Sequence, residues 1–340
     1  RADRAGAGTA GDLHHAHMLP YITRRVLWLF FLLIIVSAVT FVIFYALPSA
    51  DPAVLRAGKQ PDPALVERIR HSLGLDKSLP EQYWRYMKGI VLHFDFGYSY
   101  FNQIPVKDQI FDRLPATITL AVGAVVVWLA VGIPIGIISA VKRGTWMDKG
   151  SMGLALVAIS APVYWLGLVS LYLFSKDLGV WPLFDGSGTY PLDCNILQCP
   201  GQVIPSLILP WIVLAASFAA IYARFLRGNL TEVLGEDYIR TARSKGLRER
   251  RVVYRHGLRS ALTPVVTQFG IDLGQLVGGV VVTETVFSID GLGREAITAI
   301  NQQDLPVIIG IVLFASAVVV VANILVDLTY AWLDPRVRLT

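Results

Sequence analysis

Six long runs of mostly apolar residues decide what this chain can fold into. They are Val26–Leu47, closed by Pro48; Ala116–Val141; Ser151–Phe174, containing Pro162; Val203–Phe225; Pro264–Phe287; and Val307–Leu333. Each is long enough to cross about 30 Å of hydrocarbon as a helix. Six such runs in 340 residues exceed what one soluble core accommodates. Only 16% of the residues are charged, where a soluble domain carries roughly a quarter, and 54% are hydrophobic. The expected fold is an all-α polytopic membrane protein with about six transmembrane helices.

The basic residues give the orientation. Arg24 and Arg25 precede the first run, and Lys142, Arg143 and Lys149 lie between the second and third. Arg227, Arg240, Arg243, Lys245, Arg248, Arg250, Arg251, Arg255 and Arg259 lie between the fourth and fifth; Arg336 and Arg338 follow the sixth. The connections after runs three and five hold one each, Lys176 and Arg294. Short basic segments mark the cytoplasmic side, so both termini are expected inside. The net charge of +5 then reflects span-flanking residues and anionic lipid, not nucleic acid.

Residues 48–114 form the long outer segment. Pro63–Leu73 has helical spacing and Gly74 as a stop signal, and Pro80–Ile90 reads as a second helix. Its Tyr83, Trp84 and Tyr86 suit either the membrane interface or the core of a small external cap. Cys194 and Cys199 fall outside, on the oxidising side, where a disulfide is expected and two free thiols are the alternative. With no Cys/His cluster, a structural zinc site is not expected. Residues 1–17, with His14, His15 and His17, read as an extension, the His cluster as a mobile tail.

No phosphate loop, HExxH or GxSxG pattern occurs. Active transport would take its energy from a partner or an ion gradient. The cytoplasmic loop 227–262 is the most informative segment. Glu236 and Asp237 suit a helix N-terminus, and Gly246 suits the left-handed position past its end. Tyr238, Ile239 and Ala242 fall on one narrow apolar face. That face fits a groove on another protein, or lies on anionic lipid.

The stretch Glu236-Asp-Tyr-Ile-Arg-Thr-Ala-Arg-Ser-Lys-Gly246, with Arg255-His-Gly-Leu-Arg-Ser-Ala-Leu-Thr-Pro264 after it, resembles the EAA loop of ABC importer permeases of the dipeptide/oligopeptide/nickel branch. Asp237 and the longer spacing to the proline depart from the general loop and are similar to that branch. Leu73–Tyr83, Asp95-Phe-Gly-Tyr-Ser99, Pro105-Val106, Gly278–Phe287, Gly291-Leu-Gly293, Asn323, Asp327 and Asp334-Pro-Arg336 extend the resemblance to the B-type permease from Tyr21 to Arg338. Phe101 and 193–198 look individual to this chain.

The resemblance implies a type I ABC importer permease architecture in a bacterial or archaeal cytoplasmic membrane. It implies an N-terminal segment and first span over 18–47, the outer domain 48–114 and a permease core over 115–340. Its partners would be a second homologous permease, two ATP-binding subunits holding ATP and Mg, and an extracytoplasmic substrate-binding protein. This chain would hold no cofactor and no ATPase site. Glu236, Asp237, Tyr238, Ile239, Ala242 and Gly246 would couple it to the ATPases. Dipeptides or oligopeptides are the implied substrates, with nickel or another small solute as the alternative.

Several span residues have two readings. Gly270, Gly274 and Gly278, like Gly132 and Gly136, recur every four residues and allow helices to approach closely, as static packing or as a sliding face. Asp272, Glu284, Asn323 and Asp327 should face protein or water, as pathway or as helix packing. Pro134 and Pro162 are expected to kink their helices. A self-sufficient secondary transporter or channel would need ion sites in one chain and often shows an internal repeat, and none is visible. A membrane-anchored enzyme would need a nucleophile, base or metal signature, and none is present.

Overall fold

The computed structural model describes residues 24, 27–28, 30–43, 51–57, 62–177, 179–191, 194 and 196–333, without the side chains of 52, 55, 56, 73 and 325–333. The expected extension 1–17 and both ends of the first apolar run lie outside the described residues. The helices in chain order are α1 (Phe30–Phe41), α2 (Pro52–Ala57), α3 (Pro63–Leu73), α4 (Leu79–His93), α5 (Val106–Val141), α6 (Trp146–Ser160), α7 (Val163–Phe174), α8 (Pro200–Val233), α9 (Asp237–Ser244), α10 (Glu249–Arg251), α11 (Leu258–Val286), α12 (Leu292–Gln302) and α13 (Leu305–Leu333). A π-helical turn, Val252–Gly257, joins α10 to α11. Beyond these, the described residues hold two isolated β-bridges.

Four helices among the described residues are long and apolar enough to cross a bilayer: α5, α8, the run through α10 and α11, and α13. The shorter apolar α1 occupies the first expected run. The third departs from expectation: it is two helices, α6 and α7, bent by 107° at a break. Pro162 offers no N–H and disfavours helical geometry at Ala161, which is extended (φ −86°, ψ 125°). Pro134, with the same missing donor, stays inside a continuous α5.

The chain divides into two units, Gly97–Ile308 and the remainder, residues 1–96 with 309–340. In the latter, α3 begins on an Asp62 cap that accepts from the Ala64 N–H and ends on Gly74 at φ +71°. Arg70 of α3 pairs with Asp51 before α2. The aromatic residues of α4 split between the two expectations. Tyr83 hydrogen-bonds Ser37 of α1 at 2.7 Å and meets Phe41 edge-on, whereas Trp84 is 70% exposed.

The unit Gly97–Ile308 is built on α5 and α8, packed along their length. Gly132 and Gly136 make this possible. A Cβ at Gly132 would lie 2.8 Å from the Ala219 carbonyl oxygen, and one at Gly136 2.9 Å from that of Ala223. At the centre Trp128 stacks on Phe218 with ring centroids 4.6 Å apart, and meets Tyr222 of α8 and Phe269 of α11. The Trp211 indole N–H donates to the Thr119 carbonyl, fixing the register of the pair.

The segment before α5 is a short hairpin, Tyr98 bridged to Pro105. Asp304 closes it from the start of α13: its carboxyl, buried, accepts from the Ser99 hydroxyl, the Tyr100 N–H (3.0 Å) and the Phe101 N–H (3.3 Å). Between α7 and α8, Cys194 and Cys199 are disulfide-bonded, with Cα atoms 6.0 Å apart.

Candidate functional site

Two regions gather the residues that the sequence singles out. The first is the connection from α8 to α11. Leu234 ends α8, Glu236 takes the extended N-cap geometry, and α9 follows over eight residues. Gly246 terminates it at φ +74°, a conformation that costs any residue with a Cβ. Its N–H bonds the Arg243 carbonyl and that of Leu247 bonds Ala242, so the chain reverses tightly.

The apolar face of α9 is only partly free. Ile239 and Ala242 are buried on the chain's own Val252, with Leu234 and Leu247 around them. This corrects the expectation that Tyr238, Ile239 and Ala242 jointly present a slim face to a groove: two of the three hold α9 to its own loop. The remaining surface is polar and outward. Asp237, Arg240, Thr241, Ser244 and Lys245 are exposed, and half-exposed Tyr238 donates from its hydroxyl to Ser260 at 3.2 Å. Arg243 braces the loop. Its guanidinium grips Glu249 through two bonds, 2.7 and 3.1 Å, and reaches the Leu234 carbonyl at 3.3 Å. The Glu249 carboxylate in turn pushes the Arg243 guanidinium up from its ordinary value. The result is a short helix on a braced stalk, carried by the ends of two long helices.

The second region surrounds Glu284, near the end of α11. Its side chain is wholly buried, and both oxygens are occupied within the chain. Oε1 accepts from the Thr117 hydroxyl of α5 at 2.6 Å. Oε2 accepts from the N–H groups of Gly293 (2.7 Å) and Arg294 (3.1 Å), the unbonded donors at the start of α12. Thr117 Oγ1 in turn accepts from the Leu292 N–H at 2.8 Å. Gly291 and Gly293 are glycines because a Cβ at Gly291 would meet the Glu284 carboxyl at 2.2 Å, and one at Gly293 the Val281 Cα at 2.6 Å. Arg113 of α5 lies between Asp290 (3.4 Å) and Glu295 (3.2 Å) on the same corner. Burial pushes the Glu295 carboxyl up, against the pull of Arg113 beside it. Glu284 thus caps the start of α12 and joins it to α5 and α11.

The other span residues separate. Asp272 is buried with Leu276 and Val280 on the inner face of α11; Gln268 donates to its Oδ1 at 2.9 Å, and the Tyr222 hydroxyl of α8 lies near the same carboxyl. Among the described residues nothing lies within 4 Å of a Cβ built at Gly274 or Gly278, in contrast to Gly132 and Gly136. Gly270 is half-buried, as is Asn323, and the Asp327 side chain lies outside the described residues. Among the described residues no group of three His, Cys, Asp or Glu side chains is placed to hold a metal.

Sequence reasoning missed Thr117 and Asp304, because nothing local marks a hydroxyl that bonds 167 residues away or a carboxyl that bonds 205 away. It also missed the pairing of Asp148 with Arg227. The local signal there was Thr145 three residues before Asp148, a helix-start pattern.

Several helices long and apolar enough to cross a bilayer, with a small braced helix on the connection between two of them, make this a multi-pass membrane protein. Residues 132–339 match the family described as binding-protein-dependent transport system inner membrane component, and residues 18–121 match its N-terminal companion. The chain is 41% identical over 321 residues to the glutathione transport system permease protein GsiC of Pectobacterium atrosepticum, covering 94% of this chain and 99% of that one. It is equally similar, with the same coverage, to a putative peptide transport system permease protein of Brucella abortus. The dipeptide transport system permease protein DppB of Escherichia coli K12 is 39% identical over 338 residues, again 94% and 99%. The chain belongs to the binding-protein-dependent, ABC importer permease family, in its dipeptide/oligopeptide branch.

Proposed function

We propose that this chain is one of two permease subunits of a peptide importer, and that α9 receives the movement of ATP-binding subunits and passes it to α8 and α11. The observation that carries the coupling role is the build of the α9 stalk. Ile239 and Ala242 anchor it and Arg243 with Glu249 braces it, so a displacement of α9 is passed on and not absorbed. The exposed face, Asp237, Arg240, Thr241 and Ser244, is where a partner would dock.

Peptides are the favoured cargo because relatives at 39–41% identity over nearly the whole chain carry peptide, dipeptide or glutathione in their names. The open face of α11 at Gly274 and Gly278 supports a second permease packing there, substrate crossing between the two. A substrate-binding protein would deliver cargo to the outer side. ATP and Mg would reside in the ATP-binding subunits, and the basic cytoplasmic segments would place both termini inside.

The test is uptake of labelled dipeptides and tripeptides by cells with and without this chain, its neighbouring transport subunits left intact. Uptake is expected to require the chain. Unchanged peptide uptake in its absence, with loss of a different solute, would remove the peptide assignment.

A further inference from the structure

Asp148 lies in the first turn of α6, behind a Thr145 N-cap. Its side chain is only 4% exposed. Oδ1 accepts from Arg227 Nε at 2.5 Å; Oδ2 accepts from Arg227 Nη2 at 2.8 Å and from the Gly144 N–H at 2.9 Å. A two-pronged pair with a shielded carboxylate is stronger and geometrically more specific than an exposed ion pair. Removing one partner would leave the other charge poorly solvated. Arg227 lies on the last turns of α8, shortly before Leu234 turns the chain into the α9 loop. The pair therefore ties the connection between α5 and α6 to the root of the α9 stalk, 79 residues away.

The rest of α6 follows the same allegiance. Ser151 of α6 and Ser139 of α5 are hydroxyl to hydroxyl at 2.7 Å, and Ser217 of α8 donates to the Ala158 carbonyl at 3.1 Å. Beyond the break at Ala161 and Pro162, α7 still touches α8 but packs on the end of α11 as well. Gly167 lies against Val286 and Phe287 at the end of α11, where a Cβ would be 2.9 Å from Val286 Cγ1. α6 is thus held chiefly to α8, whereas α7 is shared between α8 and α11.

We propose that Asp148 and Arg227 are positioning residues for energy coupling. They oblige α6 to follow α8 when the α9 loop is displaced, and the Ala161–Pro162 elbow takes up the movement relative to α7. The inference rests on the coupling role of α9 proposed above.

The test uses the complete complex, reconstituted with its second permease, ATP-binding subunits and binding protein. Transport and ATP hydrolysis are measured for Asp148→Asn, Arg227→Gln, the double variant and Arg227→Lys, with Ser244→Trp on the exposed face of α9 in parallel. Each single variant is expected to lose about tenfold in substrate moved per ATP. The double should lose no more than either single, and Arg227→Lys should recover part. Unchanged substrate per ATP in the singles, or losses that multiply in the double, would overturn the link. Loss in Ser244→Trp with full coupling in Asp148→Asn would overturn the link alone. Full coupling in Ser244→Trp would remove the α9 role beneath it.

A second measurement does not depend on the ion pair. Ser139→Cys with Ser151→Cys, in a chain whose Cys194 and Cys199 are serine, fixes α6 to α5 on oxidation. Transport within twofold of the reduced form is expected. A loss restored by reductant would show that α6 must slide on its neighbours and would overturn the proposal.

Discussion

Glu284 of α11 and Thr117 of α5 are joined by a 2.6 Å hydrogen bond that also organises the start of α12. Three donors converge on one carboxyl, and Thr117 passes the network on to the Leu292 N–H. Glu284→Ala strands buried backbone donors, each costing about 1–3 kcal/mol, so a loss of roughly 3 kcal/mol is expected. Glu284→Gln keeps one oxygen but turns an amino group on a remaining donor, for a loss of roughly 1–2 kcal/mol. Thermal unfolding of the purified protein in detergent should rank wild type above Gln above Ala. Equal stability of all three would refute the capping role.

The glycines make a contrasting pair of predictions. Gly132→Ala places a methyl 2.8 Å from the Ala219 carbonyl oxygen, with the backbones of two packed helices unable to part cheaply. A destabilisation of about 1–3 kcal/mol is expected. Gly274→Ala meets nothing within 4 Å and should leave the isolated chain as stable as wild type. If Gly274 faces the second permease, the same change should weaken assembly, read as subunit ratio after affinity purification.

Ala242→Trp would not distinguish groove docking from a lipid surface, because an indole there would unseat α9 from Val252 under either reading. Discrimination moves to the exposed side. Thr241→Trp should insert and fold normally yet cut transport and substrate-stimulated ATP hydrolysis about tenfold if a partner docks there. Normal coupling in a well-expressed variant would favour lipid. Gly246→Val forces a β-branched residue to φ +74°, costing about 1–2 kcal/mol, and should misdirect the chain into α10.

Orientation can be read from labelling. Single cysteines at Ser187 and Ser244, in a chain lacking Cys194 and Cys199, should react from opposite faces with a membrane-impermeant reagent. Reaction of both from outside would contradict the placement of basic segments within.

Peptide mapping without reduction should recover Cys194 and Cys199 as one linked fragment from membranes of growing cells. Two alkylatable thiols there would contradict the pairing.

Much of this molecule was legible residue by residue. The α3 boundaries followed from Pro63 and Gly74, and the α9 helix from Glu236 and Gly246, because caps and stops act within a few residues. Apolar length marked five of the six expected spans, which the structure describes as helices over all or part of their length. The sixth, Ser151–Phe174, shows the limit. A proline within an apolar run reads as a tolerated kink, and whether it becomes a 107° break depends on what each half packs against: chiefly α8 for α6, and both α8 and the end of α11 for α7.

The same division runs through the functional residues. Sequence alone determined that the chain lives in a membrane, which segments are basic, and that a small helix interrupts the connection from α8 to α11, since hydropathy, charge and capping are local properties. Only the tertiary structure decided that Glu284 caps α12, that Gly132 packs on α8, and that Ile239 and Ala242 face Val252. Each of those depends on which distant atom arrives beside the residue. A carboxyl in a span looks the same in sequence whether three donors from two other elements converge on it, as in Glu284, or a glutamine one turn away on its own helix donates to it, as in Asp272.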